Sequence, residues 1–177
     1  MKNGQTAKSQ PVGAAMVVGG GIAGMQASLD LAEQGFKVYL VEKKSAIGGK
    51  MAQLDKTFPT NDCAMCTISP KLVETGRHPN IEVLTMTEVV EISGEAGDFD
   101  VGLRHQPRYV DPELCVACGD CAKVCPIIIP DLFNESLAPR RAAFKLYPQA
   151  VPNAYAIEKR GIAPCRDACP AGQRSQG

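Results

Sequence analysis

The eight cysteines of this 177-residue chain fall into three clusters at spacings that suit metal ligands or redox pairs. They occupy positions 63, 66, 115, 118, 121, 125, 165 and 169. At about 4.5% of the residues, they are fewer than the ~8–10% that is usual in disulfide scaffolds. Clustered cysteines in a reducing compartment more often bind metal or carry out redox chemistry than form disulfides. Metal or redox chemistry is therefore the first expectation.

The densest cluster is the run Cys115-Val-Ala-Cys118-Gly-Asp-Cys121-Ala-Lys-Val-Cys125-Pro126. Its C-x2-C-x2-C-x3-C-P spacing is that of the bacterial ferredoxins, whose thiolates bind [4Fe–4S] clusters. Gly119 permits the tight path that places the first three thiolates around one corner of a cubane. Structural zinc is the alternative, but it usually takes two separated C-x2-C pairs. We therefore predict four cluster ligands: Cys115, Cys118, Cys121 and Cys125.

The fourth ligand has a second candidate near the end of the chain. In two-cluster ferredoxins the fourth cysteine of such a run serves the other cluster, whose remaining ligands come from a second run. A full second run here would place cysteines at 159, 162, 165 and 169, but Lys159 and Ile162 stand at the first two positions. Either Cys125 or Cys169 is the fourth ligand of the first cluster. The sequence leaves open whether a second cluster is present.

A second chemically informative pattern is the glycine-rich segment Gly19-Gly20-Gly21-Ile22-Ala23-Gly24, which fits G-x-G-x-x-G. It follows a predicted strand and opens a predicted helix, which is the context that a dinucleotide site requires. Gly19 allows the tight turn, Gly21 lets the backbone approach a pyrophosphate, and Gly24 allows close packing of helix on strand. The helix N-terminus attracts the anion.

Glu42 ends the next predicted strand, eighteen residues after Gly24. Its carboxylate is expected to accept hydrogen bonds from ribose hydroxyls and to repel a 2′-phosphate, which favours FAD or NAD over NADP. Three lysines flank this site: Lys43, Lys44 and Lys50. Their side chains either contact a phosphate group or are simply solvated, and the sequence leaves both alternatives open.

The third cysteine cluster is the pair Cys63 and Cys66, fourteen residues after Gly49. A C-x-x-C pair at the start of a helix has a depressed thiol pKa, which favours redox chemistry. Three interpretations stay open for this pair: a redox dithiol, ligands to a further cluster, or structural thiols. The two histidines, His78 and His105, are single residues near predicted loops or strands, where a structural role is expected.

The elements that position these residues follow from hydrophobic patterning. A strand over 14–18, a helix over 22–34 and a strand over 37–42 predict one right-handed β-α-β unit with parallel strands. A short helix is expected within 63–76, followed by a strand meander over 81–85, 88–92 and 99–104. The expected division is a disordered tail at 1–13, a nucleotide-binding part at 14–107, an iron–sulfur segment at 108–135, and a proline-rich connector with the final tail at 136–177. The predicted fold class is α/β, a partial doubly wound, Rossmann-like unit with a small ferredoxin-like segment.

Composition excludes several classes of function. Nineteen basic residues balance nineteen acidic ones, so a nucleic-acid partner bound through its phosphates is not expected. No apolar run reaches the ~18–20 residues of a transmembrane helix. The first eleven residues are polar and do not form a signal peptide, so a cytoplasmic location is expected.

The run VVGGGIAGMQASLDLAEQGFKVYLVEKKSAIGG resembles the FAD-binding start of the two-dinucleotide flavoproteins, the class of glutathione reductase. In that class a later glycine pair, here Gly48 and Gly49, also lines the FAD pyrophosphate, which favours FAD over NAD. In the related disulfide reductases a redox cysteine pair follows the glycine pair, although its spacing is x4 where this chain has x2. Lys71 resembles a lysine near the flavin in those enzymes.

The chain resembles the A-subunit family of heterodisulfide reductases over about residues 14–155. The resemblance lies in the order of three segments, which are the FAD fingerprint, TFPTNDCAMCTISPKLVETGRHPNIEV and YVDPELCVACGDCAKVCP. The resemblance implies a cytosolic FAD and iron–sulfur protein that forms part of an anaerobic electron-transfer complex. It also implies partners within that complex: iron–sulfur proteins and a hydrogenase or dehydrogenase.

Two departures from this family leave alternatives open. The tail GIAPCRDACPAGQRSQG resembles the start of the cluster domain of glutamate synthase small subunits, so an NAD(P)H-dependent oxidoreductase of that type is one alternative. The chain is shorter than the ~300 residues that an FAD half plus a nicotinamide half would need. It is therefore expected to be a fragment or to be completed by another chain, and a non-enzymatic one-electron carrier is the other alternative.

Overall fold

A β-α-β unit opens the computed structural model, which describes residues 13–158. Strand β1 (Ala14–Val18) and strand β2 (Lys37–Glu42) pair in parallel, and helix α1 (Ile22–Glu33) connects them. The predicted bounds of both strands are confirmed, and the helix ends one residue before its predicted end. Gly35 has a φ of +93°, and this left-handed conformation lets the chain leave the helix and enter β2.

A second helix and a third parallel strand extend the sheet. Helix α2 (Ala64–Arg77) is followed by β3 (Ile81–Thr85), which pairs in parallel with β2, so the strand order is β1-β2-β3. The expectation that residues 81–85 belong to a meander is wrong. Because α2 lies between β2 and β3, it supplies the crossover that a parallel pairing needs.

The two later strands form a hairpin beside this sheet. β4 (Thr87–Glu95) and β5 (Asp98–His105) pair antiparallel, with a register shift between Val89 and Glu91. Gly94, near the end of β4, and Gly97, in the turn between the strands, both have positive φ. A Cβ on Gly94 would lie 2.2 Å from the carbonyl oxygen of Asp98, so the close approach of the two strands beside the turn requires glycine at this position.

One hydrophobic core joins the sheet to both helices. The buried positions of α1 recur at helical spacing, and those of α2 do the same. Tyr147, far along the chain, inserts into the same core. The members that anchor it are Met25, Leu29, Val38, Leu40, Ile47, Ile68, Leu72 and Tyr147.

Short elements make up the rest of the described secondary structure. They are the 3-10 turns Met51–Gln53 and Leu132–Asn134, helix α3 (Asp120–Val124), and strands β6 (Ile128–Pro130), β7 (Pro139–Arg141), β8 (Ala143–Phe144) and β9 (Ala156–Ile157). β6 pairs with β7 and β8 with β9. Part of the segment expected to be a connector is therefore paired structure. Residues 1–12 of the tail predicted over 1–13, and the positions of Cys165 and Cys169, lie outside the described residues.

Candidate functional site

The glycine-rich turn between β1 and α1 is shaped by close backbone packing. Gly19 has a φ of +103°, and its N–H donates to the carbonyl oxygen of Val41 at 2.7 Å. A Cβ on Gly24 would lie 1.9 Å from the carbonyl oxygen of Gly19. The first turn of α1 therefore lies directly against the loop, as the sequence pattern predicts.

Gly21 marks the open side of the same turn. It is the N-cap of α1, its backbone is extended, and no side chain caps the helix. A Cβ on Gly21 would meet nothing within 4 Å. No acidic residue lies in the first turn of α1. The unpaired N–H groups of a helix start, together with its dipole, suit a phosphate group.

The second glycine pair packs on the first turn, although about 28 residues separate them in sequence. The N–H of Gly48 donates to the carbonyl oxygen of Gly20 at 2.7 Å. A Cβ on Gly49 would lie 2.8 Å from the Cα of Gly21. The structure thus brings both glycine segments to one place, as the resemblance to flavoproteins implies.

Glu42 has a structural contact that the sequence does not reveal. The residue is 8% exposed. One carboxylate oxygen accepts the N–H of Gly20 at 2.8 Å, and the other accepts the N–H of Lys44 at 2.8 Å. Each carboxylate oxygen has further acceptor capacity, so this arrangement leaves room for the expected ribose contacts.

A cleft of about 430 Å³ opens at the carboxyl ends of β1 and β2. Ligands of parallel α/β sheets bind at this end, and the volume lies within the range of ligand sites. Lys43 lies on its wall. The lining residues are Val18, Gly19, Val41, Glu42, Lys43, Thr87, Glu88 and Val89. The open glycine turn, the uncapped helix and the cleft fit a dinucleotide such as FAD.

Tyr155 lies against the ferredoxin-like run of cysteines. The N–H of Tyr155 donates to the Sγ of Cys115 at 3.5 Å. Burial raises the pKa of the Tyr155 hydroxyl, and the nearby Cys121, Cys118 and Cys115 raise it further. Burial also raises the pKa of the Cys121 thiol, and the charges of Cys115 and Cys118 add to that effect. Thiolates that receive a backbone hydrogen bond fit the ligand set of an iron–sulfur cluster.

Gly119 fixes the path of the chain between these cysteines. It has a φ of +85° and is the N-cap of α3. A Cβ on Gly119 would lie 2.9 Å from the Tyr155 hydroxyl oxygen. Both the left-handed backbone and the contact with Tyr155 therefore require glycine at this position.

Cys125 has different surroundings from the other three. Its thiol lies 3.8 Å from the carbonyl oxygen of Ile127. Burial acts to raise its pKa, but backbone hydrogen bonds at Ala143, Ile127 and Ala142 and the charge of Arg141 outweigh burial and lower it. Within residues 13–158, no three cysteine, histidine or acidic side chains form a group that could hold a single metal ion. Whether Cys125 binds the same cluster as the other three cysteines or serves a separate one therefore stays a prediction.

Cys63 and Cys66 form a thiol pair at the N-terminus of α2. Cys63 is the N-cap, and its sulfur accepts the N–H of Cys66 at 3.2 Å. The hydrogen bond from the Cys66 thiol, followed by that from its backbone N–H, lowers the pKa of Cys63. The same thiol–thiol bond raises the pKa of Cys66. The lower pKa gives Cys63 the larger thiolate fraction of the two, and because the pair is exposed, this thiol is accessible to reagents.

The other residues considered in the sequence have structural contacts. His105 Nδ1 lies 2.9 Å from the Thr87 hydroxyl, and His78 Nδ1 accepts the N–H of Asn80 at 3.2 Å. Lys50 pairs with Glu135 at 2.9 Å, and Lys44 lies 5.6 Å from the centre of the Phe133 ring. Lys71 lies within α2.

Arg108, which belongs to none of the sequence motifs, connects the two cofactor regions. It is 9% exposed. Its guanidinium donates to the Ser45 carbonyl oxygen at 2.5 Å and to the Thr85 hydroxyl at 2.8 Å. It also donates to the Tyr155 carbonyl oxygen at 3.3 Å. A single basic residue outside any motif carries no signal by which the sequence could have identified it.

Comparison with known families identifies two segments. The family described as FAD dependent oxidoreductase matches residues 15–94, and the family described as 4Fe-4S binding domain matches residues 108–127. The first match covers the glycine turns and the thiol pair, and the second covers the four cysteines of the ferredoxin-like run. No helix among residues 13–158 has the length and apolar character of a membrane span.

Curated relatives match most of this chain. One is the second iron-sulfur A-subunit of CoB–CoM heterodisulfide reductase in Methanopyrus kandleri, which is 53% identical over 153 residues, or 86% of this chain and 23% of that protein. Another is the A-subunit of the H(2):CoB-CoM heterodisulfide,ferredoxin reductase of Methanothermobacter marburgensis, which is 51% identical over 151 residues, or 85% of this chain and 23% of that protein. The chain thus spans about 23% of the length of these relatives. Among solved structures, L-proline dehydrogenase from P. horikoshii has a TM-score of 0.44 at 21% identity, covering 56% of this chain and 20% of that one.

Proposed function

Because this chain belongs to the heterodisulfide reductase A-subunit family over about 85% of its length, we propose that it is an FAD and [4Fe–4S] electron-transfer part of an oxidoreductase of that type. The observation that carries the proposal is that Arg108 joins the loop of the cysteine run to the parallel sheet that bears the glycine turn. Arg108 contacts the end of β3 and the peptide group beside Cys115. The proposed sites for FAD and for the cluster therefore belong to one connected framework.

The flavin half of the proposal rests on the two glycine segments and Glu42. FAD bound here would supply two-electron redox chemistry. The protein would hold the pyrophosphate of FAD at the N-terminus of α1, where the glycines leave room because they have no side chains. Glu42 would orient the ribose. The residues proposed to do this are Gly19, Gly20, Gly21, Ile22, Ala23, Gly24, Glu42, Lys43, Gly48 and Gly49.

The iron–sulfur half of the proposal rests on the cysteine run. Cys115, Cys118 and Cys121 are proposed ligands of one [4Fe–4S] cluster, because their C-x2-C-x2-C spacing is that of bacterial ferredoxins and the match to the 4Fe-4S binding domain covers all three. Cys125 is the proposed fourth ligand from its place in the motif. A cluster of this kind carries single electrons, and hydrogen bonds to its sulfurs tune its potential.

Cys63 and Cys66 are proposed as a redox dithiol. Oxidation of one thiolate and one thiol forms one S–S bond and releases two electrons and one proton, which matches a two-electron cofactor such as FAD. The lowered pKa of Cys63 and the raised pKa of Cys66 support this assignment, since one thiolate and one proton-holding thiol are what dithiol chemistry uses.

The proposed partners are the other components of an electron-transfer complex. The names of the relatives designate each of them as one lettered component of a reductase, which supports assembly with further chains. Iron–sulfur proteins and a hydrogenase or dehydrogenase are the proposed donors and acceptors. A cytoplasmic location is part of the proposal, because free cysteines and thiolate-bound clusters suit a reducing compartment.

A pair of cysteine variants tests the assignment of the cluster ligands. Cys118→Ala is expected to lose the [4Fe–4S] absorbance and most of the protein-bound iron after anaerobic purification. Cys63→Ala, which also removes one exposed thiol, is expected to keep wild-type iron. Unchanged iron in Cys118→Ala would contradict the ligand assignment. Lowered iron in Cys63→Ala would instead make the thiol pair ligands of a further cluster.

A further inference from the structure

Arg108 is a buried cation whose surroundings provide hydrogen-bond acceptors but little negative charge. Its three side-chain hydrogen bonds go to two carbonyl oxygens and one hydroxyl. Burial lowers the pKa of Arg108, and a negative charge on Cys115 would oppose that effect. A buried charge is costly unless an opposite charge compensates it. A negatively charged cluster bound through Cys115 would place such a compensating charge on the cysteine side.

The contacts of Arg108 lead to a predicted cluster ligand in two steps. The guanidinium donates to the carbonyl oxygen of Tyr155 at 3.3 Å. The N–H of the same residue donates to the Sγ of Cys115 at 3.5 Å. At its other side the guanidinium is fixed by Ser45 and Thr85, which belong to the nucleotide-binding part. One side chain thus ties the ligand loop to the parallel sheet.

We propose that Arg108 is a positioning residue that holds the iron–sulfur ligand loop against the sheet and supplies the buried positive charge that favours the reduced cluster. This inference rests on the proposed [4Fe–4S] site. Reduction by one electron makes a thiolate-bound cluster more negative. A fixed cation nearby therefore stabilises the reduced form and raises its midpoint potential, because charge interactions are strong in a poorly solvated site.

The primary test keeps Arg108 in place and changes the charge beside it. Thr85→Asp replaces the hydroxyl acceptor of Arg108 by a carboxylate of similar size, which pairs with the guanidinium and cancels its charge. Thr85→Val removes the same hydrogen bond without adding charge. The midpoint potential of the cluster is measured by redox titration with electron paramagnetic resonance, so the readout does not depend on activity.

The expected result is a fall in potential only where the charge is cancelled. In Thr85→Asp the ratio of reduced to oxidised cluster at a fixed potential is expected to fall at least tenfold, which is about 59 mV for one electron. In Thr85→Val the ratio is expected to stay within about threefold of wild type, although the protein unfolds at lower temperature. Equal shifts in the two variants, or no shift in Thr85→Asp, would overturn the proposed charge effect.

Direct replacement of the arginine gives a second test. Arg108→Gln is expected to lower the potential as Thr85→Asp does, and Arg108→Lys, which keeps the charge, is expected to restore most of the wild-type value. Arg104→Gln is the matched control, because it removes one exposed arginine from β5 and is expected to leave the potential unchanged. Absence of a cluster from the wild-type chain would overturn the proposed function itself. If the wild-type chain holds a cluster but Arg108→Gln leaves its midpoint potential unchanged, only this inference is overturned and the proposed function stands.

Discussion

Replacement of Gly21 by aspartate separates flavin binding from folding. Gly21 is the N-cap of α1 with a φ of −76°, a conformation that any residue adopts. An added Cβ would meet nothing within 4 Å. Aspartate is also a better N-cap than glycine by a few tenths of a kcal/mol, and its charge suits the helix N-terminus. The free energy of unfolding is therefore expected to stay the same or to rise by about 0.5 kcal/mol.

The effect of Gly21→Asp on a pyrophosphate is the opposite. Two like charges about 4 Å apart repel each other by about 4 kcal/mol at an effective dielectric constant of ~20. This energy corresponds to a loss of about a thousandfold in affinity. We expect the purified variant to contain little or no FAD while it unfolds at the wild-type temperature or slightly above it. Acid-released flavin per chain and thermal unfolding are measured on the same sample.

Two further glycine variants serve as controls for this experiment. Gly21→Asn has nearly the same size and N-cap ability without the charge, so it is expected to retain more flavin than Gly21→Asp. Gly24→Ala places a Cβ 1.9 Å from the Gly19 carbonyl oxygen, and the forced backbone shift is expected to cost about 1–3 kcal/mol of stability. Wild-type flavin content in Gly21→Asp would refute the assignment of this turn to the pyrophosphate.

Three further predictions concern single contacts. Glu42→Gln leaves one oxygen to replace two carboxylate acceptors, so urea unfolding of the flavin-free protein is expected to show a loss of about 1.5–3 kcal/mol; an unchanged value would contradict the bonding of Glu42 to the loop. Alkylation of Cys63 is expected to have a midpoint below the usual thiol pKa of about 8.5, because a lowered pKa keeps the thiolate present at lower pH; Cys66→Ala is expected to move the midpoint up, and identical midpoints would argue against the thiol pair. Tyr147→Phe leaves the Ile47 carbonyl oxygen, which the buried Tyr147 hydroxyl contacts, without its donor, and a loss of about 1–3 kcal/mol is expected in the same urea assay.

The β-α-β unit could be predicted well because its signals are local. The apolar runs of β1 and β2 and the helical periodicity of α1 lie within 29 consecutive residues, 14–42. The direction of β3 could not be predicted in the same way. A short apolar run shows that a strand exists but not which neighbour it pairs with, and residues 81–85 pair with β2 across the whole length of α2.

The candidate site shows a similar division between local and long-range information. The glycine turns and cysteine spacings are local patterns, so the sequence identified them. Glu42 also accepts hydrogen bonds from two backbone N–H groups, and only the folded loop brings these groups to its carboxylate. Arg108 acts through Ser45 and Tyr155, which are 63 and 47 residues away, and no sequence pattern marks such contacts.

The cofactor content of the wild-type chain tests the proposed function most directly. The protein is expressed and purified without oxygen, and acid-released FAD and iron are measured per polypeptide. We predict about one FAD and about four iron atoms on the same chain, as one [4Fe–4S] cluster requires. Iron without flavin would contradict the proposed function and make the chain a one-electron carrier, and flavin without iron would contradict the assignment of the cysteine run.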